Sequence, residues 1–282
     1  MMNLLILQSM WAMENILPNG ETLPMPDAIQ RIAQQGFHGV TDHMMQASHV
    51  TSLMAELKAH NLTMEGQCFP DSIDALQPTL ELAAQHQPHH ITIQPNIRTR
   101  NMKETIRLLE GWQRLAEQID TPVLVETHRY RLTNDLLFTL EILAEMPNLK
   151  LLGDLSHYVV GHEIPLDENA SKDIQHLQTI MSHCHAYHGR VASREQIQIP
   201  ISFPQHAAWV DAFYDLWKWG FTNWKKRAQP SDTLSFTCEL GTHPYAITDK
   251  NGHDITDRWK ESLTLKSMAE RIWQDIDLPL KT

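Results

Sequence analysis

The chain is poor in the features that mark several common protein classes. It has three cysteines in 282 residues, Cys68, Cys184 and Cys238, with no CxxC pair. A disulfide framework or a zinc knuckle is therefore not expected, and free thiols in an intracellular protein are. Long hydrophobic runs are missing too. The opening stretch, residues 1–13, has an apolar part of only four residues, Leu4 to Leu7, no basic start and no small-residue cleavage site. It is read as a first strand rather than a signal or a membrane span, and a cytoplasmic location is expected. No GxGxxG follows that strand, which instead runs into Gln8, Ser9, Met10 and Trp11. Positive charge is in deficit, with 23 Lys and Arg against 34 Asp and Glu, a net charge of −11. Such a balance repels phosphate backbones and anionic bilayers, so neither nucleic acid nor membrane is expected as a partner.

What the chain does have is an alternating pattern over its whole length. Eight short runs rich in Val, Ile, Leu and Thr are predicted as strands: 3–9, 39–42, 62–68, 90–94, 123–126, 149–154, 184–188 and 234–239. Amphipathic stretches lie between them. Ile29, Ile32 and Ala33 recur at helical spacing in 27–35, and Ile106, Leu109, Trp112, Leu115, Ala116 and Ile119 in 102–119. Stretches 133–146 and 255–273 read the same way, with Thr133 or Asn134 as a cap for the former.

Strands alternating with helices imply a parallel sheet. Without a glycine-rich phosphate loop, a closed (β/α)8 barrel is favoured over an open doubly wound sheet. The length fits one such domain spanning 1–282, with no linker or repeat to mark another. The connection around 191–231 is long and holds Trp209, Trp217, Trp219 and Trp224. It is expected to form an extended seventh connection that packs, covers the site or serves a homo-oligomer interface.

Barrel chemistry sits at the C-terminal strand ends. Four successive strands end in metal-ligand residue types: Glu126, Asp154, a histidine, and Glu239. Two Glu, one Asp and one His suit Mn²⁺, Mg²⁺ or Co²⁺, with Zn²⁺ a further candidate. Singly, Glu126 or Glu239 could pair an arginine and Asp154 could cap a helix. Together, at consecutive strand ends, they point to one cation. On the seventh strand His185 and His188 point opposite ways. His188 is preferred as the ligand because it shares its side with Arg190 and the small Cys184 and Ala186; His185 is the alternative.

The set resembles the xylose isomerase-like TIM barrels, the sugar isomerase and epimerase group that also includes type IV endonucleases. The resemblance rests on Glu126-Thr127-His128-Arg129, Gly153-Asp154-Leu155-Ser156-His157, His188-Gly189-Arg190-Val191, and Glu239-Leu240-Gly241 followed by Pro244-Tyr245. It covers the C-terminal half; the N-terminal half matches only in its alternation. It implies that Glu126, Asp154, His188 and Glu239 hold a divalent metal and that Glu126 and Glu239 also transfer protons. It further implies that His157 and Arg190 lie near substrate oxygens. On that basis the chain is expected to isomerise or epimerise a sugar or hydroxy-ketone through an enediolate, which Arg190, protonated His157 and the metal would stabilise. His128, Arg129, Trp11, His43 and Glu65 are expected to line the substrate pocket. No phosphate-binding nest is visible, which favours an unphosphorylated small sugar or polyol.

Three alternatives remain open on the sequence. A dehydratase of the inosose type would use the same enediolate and expel a hydroxyl. A zinc phosphodiesterase like the endonuclease branch would need further histidines, and the fourth strand ends in Gln94-Pro95 instead. A barrel that binds a ligand without catalysis is the last.

Overall fold

The computed structural model describes residues 2–17 and 19–277. Eight parallel strands close into a ring in sequence order. They are β1 (Asn3–Ser9), β2 (Gly39–His43), β3 (Thr63–Cys68), β4 (His90–Ile93), β5 (Val123–Glu126), β6 (Leu151–Gly153), β7 (Cys184–Gly189) and β8 (Thr233–Cys238). Closure is made by β1 against β8 over six register pairs, from Asn3↔Thr233 to Gln8↔Cys238. The fold is the single-domain (β/α)8 barrel expected from the alternation.

The outer layer comprises α1 (Met25–Gln34), α2 (Ala47–Ala59), α3 (Gln77–His86), α4 (Met102–Ala116), α5 (Leu136–Glu145), α6 (Ser156–Gly161), α7 (Ser171–Met181), α8 (Ala207–Arg227) and α9 (Arg258–Asp277). Among the described residues, no helix is long and apolar enough to cross a membrane.

Side chains alternate across each strand, and here the two faces differ in chemistry. Outward residues such as Ile6, Val40, Met64, Ile91, Val125, Leu151, Tyr187 and Phe236 join one large core with the helices. A second, small apolar cluster inside the ring consists, among the described residues, of Leu124, Leu152 and Ala186. Buried polar residues, among them Glu65, Thr92, His188 and Thr237, occupy other positions of the strands. The interior is thus built to hold charge near the mouth rather than to supply apolar packing throughout.

Several expected details shift. The sixth strand is short, so Asp154 is the first residue beyond it. The cap of α5 is Asp135, whose carboxylate accepts from the Phe138 N–H, and not Thr133 or Asn134. Thr133 instead donates its hydroxyl to the Glu126 carbonyl at 2.6 Å, and Asn134 accepts from the Tyr130 N–H at 2.8 Å. Cys184 does not share the side of His188; its thiol lies 3.5 Å from the Ile180 carbonyl of α7. A register slip between β6 and β7 at Leu151/Leu152 breaks the simple alternation there. The long seventh connection is a coil, a short turn of helix at Pro204–His206, and then α8.

Candidate metal centre

Glu126 is the last residue of β5, where Val123-Leu124-Val125 holds it in the ring. Asp154 follows β6 and is strapped to β5 through Thr127, whose hydroxyl accepts from the Asp154 N–H at 2.9 Å. His188 lies on β7, and Glu239 directly follows β8. The structure brings these four together, each offering a ligand atom, with all such atoms within 4.8 Å of one another. All four are buried, and Glu126, Asp154 and His188 have no exposed surface.

Three of the four, Asp154, His188 and Glu239, have a second contact that aims them. Asp154 Oδ1 accepts from the Ser156 amide and hydroxyl, at 3.0 and 2.5 Å, at the start of α6. Its Oδ2 faces Arg190 Nη1 at 3.0 Å. The residue thus does the helix-end job considered for it with one oxygen and keeps the other for the cluster. Arg190 also donates from Nη2 to Glu239 Oε2 at 2.7 Å and from Nε to the Glu239 carbonyl at 3.1 Å. His188 Nε2 lies 2.9 Å from Glu65 Oε1. The Glu65 carboxylate also accepts from the hydroxyls of Thr92 and Thr237, both at 2.7 Å. An ionised carboxylate can only accept, so His188 carries a proton on Nε2 and turns Nδ1 toward the acidic cluster. Nδ1 stands 3.0 Å from Glu239 Oε2 and 3.5 Å from Glu126 Oε1, neither with hydrogen-bond geometry.

Glu126 differs from its neighbours. Both of its carboxylate oxygens are buried and have no hydrogen-bond partner. A buried carboxylate without partners is costly. Burial, with Glu239 and Asp154 adding to it, pushes the Glu126 carboxyl up to about 7 against the pull of His188. Burial also raises Asp154 despite Arg190. At Glu239 burial is outweighed by His188 and Arg190, which hold the carboxyl down at about 2. Three carboxylates and one imidazole, one carboxylate without a hydrogen bond to either oxygen, fit a divalent cation of the hard or borderline kind.

The remaining candidates fall into different places. His157 is buried, with Nε2 3.4 Å from Asp154 Oδ2. Burial, reinforced by His128 and Arg190, drives its pKa well below the usual histidine value. Burial thus works against the imidazolium form expected for it. His128 leans against it at 45° with ring centroids 3.8 Å apart, and burial lowers His128 to about 3. Trp11 meets Tyr245 edge-on at 5.0 Å. The guanidinium carbons of Arg190 and Arg129 lie 4.8 and 4.9 Å from the Tyr245 ring centre.

Glu65, expected to line the substrate pocket, has no exposed surface and sits behind His188, because its carboxylate is consumed by three donors. His43 is exposed at the end of β2 with its ring edge against Phe69. It is not part of the cluster. His185 lies on the outer side, where its Nε2 is 2.9 Å from Arg227 Nη1 of α8. Of the two histidines considered on β7, only His188 belongs to the cluster. Sequence reasoning gave no role to Tyr245, Thr92 or Thr237. Tyr245 was visible only as part of the Pro244-Tyr245 pair, and the two threonines carry no motif.

No family model and no curated protein matches the sequence. Solved structures do match in fold. A D-psicose 3-epimerase with D-tagatose from Clostridium cellulolyticum H10 is 12% identical, with a TM-score of 0.58, over 96% of this chain and 99% of that one. A xylose isomerase-like TIM barrel protein from Mycobacterium smegmatis in complex with magnesium is 12% identical, with a TM-score of 0.57, over 94% and 97%. A family 2 AP endonuclease from Brucella melitensis is 13% identical, with a TM-score of 0.54, over 85% and 93%. The chain therefore has the fold of the xylose isomerase-like TIM barrels and carries, at the mouth of that barrel, a buried carboxylate and histidine cluster consistent with a divalent metal site.

Proposed function

We propose that this chain is a divalent-metal-dependent isomerase or epimerase of a small, unphosphorylated sugar or hydroxy-ketone. One observation carries the reading: Glu126, fully buried with no hydrogen bond to either carboxylate oxygen, offers a ligand atom within 4.8 Å of those of Asp154, His188 and Glu239. Glu126, Asp154, His188 and Glu239 would hold the cation. Magnesium in the Mycobacterium smegmatis structure is a precedent for a hard cation on this fold. When bound, the cation would polarise a substrate carbonyl and make the neighbouring carbon a stronger acid.

The chain's own groups supply the rest. Glu126 and Glu239 approach from strands three apart in an eight-stranded ring, so two carboxylates reach a substrate from different sides. One can take a proton from carbon while the other returns it, to the same carbon for epimerisation or through the neighbouring carbon for isomerisation. Arg190, locked to both Asp154 and Glu239, is a fixed positive charge for the enediolate to face. Trp11 and Tyr245 make an apolar wall of the kind that covers a sugar face. The net charge of −11 argues against a nucleic-acid substrate.

The test is a panel of aldoses, ketoses and polyols in D2O with chelator-stripped and Mn²⁺-reloaded protein. Deuterium should enter the carbon next to the carbonyl only with metal, without loss of mass as water, and Glu126→Gln or Glu239→Gln should abolish it. Loss of water from the substrate would replace isomerisation with dehydration. Mn²⁺ binding unchanged in both variants would end the reading altogether.

A further inference from the structure

In a chain of net charge −11, Arg98, Arg100, Arg129 and Arg131 all stand on the two loops that follow β4 and β5. These loops leave the strands at the end of the ring that carries the metal cluster, since Glu126 is the last residue of β5. Three of the four arginines are accounted for. Arg98 is exposed over the Tyr130 ring, Arg100 stands 3.6 Å from Asp135, and Arg131 donates to Asn96 at 2.8 Å. Arg129 differs. It is half-buried, and among the described residues its guanidinium makes no hydrogen bond and no ion pair. What it touches is the Tyr245 ring, at 4.9 Å. A ring contact leaves the N–H donors of the guanidinium without acceptors, which is costly away from water.

The loop holds Arg129 where it is. On one side, His128 donates its backbone N–H to the Thr133 hydroxyl at 3.1 Å, and its ring is bonded to the Arg129 carbonyl. On the other, Tyr130 is turned to φ +63° with its N–H on Asn134 Oδ1 at 2.8 Å. Tyr245 then sets the guanidinium beside the cluster, because the same ring lies 4.8 Å from Arg190, which is bound to Asp154 and Glu239. Arg190 has no donor pattern to spare there: its Nε, Nη1 and Nη2 are all engaged. The free fork at this mouth is that of Arg129.

We infer that the substrate of this site carries a carboxylate and that Arg129 receives it. The substrate class is then a sugar acid or a hydroxy-keto acid, with its carbonyl end at the cluster and its acid end at the β5 loop. A guanidinium fork matches the two oxygens of a carboxylate in one plane. Charge agrees with a monoanion. With one divalent ion bound, the carboxylates of Glu65, Glu126, Asp154 and Glu239 face that ion and the guanidinium groups of Arg190, Arg129 and Arg131, which leaves one positive charge unmatched. A phosphate ester, with a charge of about −1.5 to −2, would overshoot it.

This inference rests on the metal-dependent reading, because it names the substrate class of the same site. Full-length Mn²⁺-loaded protein is titrated calorimetrically with acids and their matched alcohols: glycerate against glycerol, erythronate against erythritol, and gluconate against glucitol. At least one acid should bind roughly 10–100-fold tighter than its alcohol, the range of hydrogen bonds to a charged group. Arg129→Gln should erase that preference while Mn²⁺ still binds. Arg131→Gln removes the same charge from the same loop and should reduce the preference less. The inference is overturned if no acid is preferred, or if the preference survives in Arg129→Gln, which would assign the carboxylate to the ion alone. Equal losses in the two variants would reduce it to bulk charge, and glycerol 3-phosphate binding tighter than every acid would assign the site to phosphate esters; either result overturns it too. All of these leave the proposed function standing, whereas protein that binds no Mn²⁺ would remove both.

Discussion

Glu65 illustrates how a charge far from solvent can be useful. Burial alone would raise its carboxyl, but His188 and His90 outweigh burial and hold it below the usual carboxylate range. Its role follows from what it touches: it fixes which nitrogen of His188 faces the cluster. Glu65→Ala is expected to weaken Mn²⁺ binding about 10–100-fold, in line with lost orienting partners of ligating histidines; calorimetric titration would measure it. His90 gives a pH prediction. It is buried, and burial lowers its pKa to about 4 despite Glu65. In the unfolded chain its value is near 6.5. Between those limits the unfolded state binds more protons, so the contribution of His90 to stability is full above about 6.5 and is lost as pH falls toward about 4. His188 is shifted the other way. Urea unfolding at several pH values should therefore show a shallower acid decline in His90→Phe than in the parent, and an unchanged slope would refute the assignment. None of this was legible from residue type. Glu65 read as one more acid near a strand end, and its three hydrogen-bond partners are 27, 123 and 172 residues away in the chain.

At the scale of elements the strands were the most legible feature. A parallel strand covered on both sides is a short continuous run of apolar and β-branched residues, and 3–9 and 123–126 have the bounds of β1 and β5. The placement of Glu126 and Asp154 at such ends could be read directly. Helix starts were less legible, because Thr133, Asn134 and Asp135 are three capping residues in a row and only tertiary partners for the first two leave Asp135 to the helix. Asp135→Ala should lower stability by about 1 kcal/mol through loss of the cap, seen as an earlier urea midpoint. The six-residue α6 was also unread, since a single short turn has no period to detect, and yet it carries His157.

Closing the ring is a problem for the whole molecule, and Arg258 contributes to its solution. It is 2% exposed at the start of α9. Its guanidinium donates to the carbonyls of Ala12 and Glu14, both at 2.7 Å, and to that of Leu240 at 3.2 Å, while Nε meets Asp254. It thus ties the segment after β1, next to Trp11, to the segment after β8, next to Glu239. Gly241 belongs to the same contact: a Cβ there would come within 1.9 Å of the Trp11 ring. Arg258→Ala should cost about 3 kcal/mol, because buried carbonyls and a carboxylate lose their partner. Thermal unfolding would show the loss, and a neutral result would mean that closure rests on the β1–β8 ladder alone.

By itself the amino-acid order determined the alternation of strand and helix, the ring that such alternation permits, and the acids standing at consecutive strand ends. Those are local properties, set by side-chain period and by turn chemistry within a few residues. Only the tertiary structure decided that His188 rather than His185 faces inward, that Glu65 lies behind it, that His157 is buried against Asp154, and that Arg258 joins the two ends of the barrel. Burial, the partner of a buried charge and the register between strands arise when distant segments are closed into one ring, and no short window of sequence contains them.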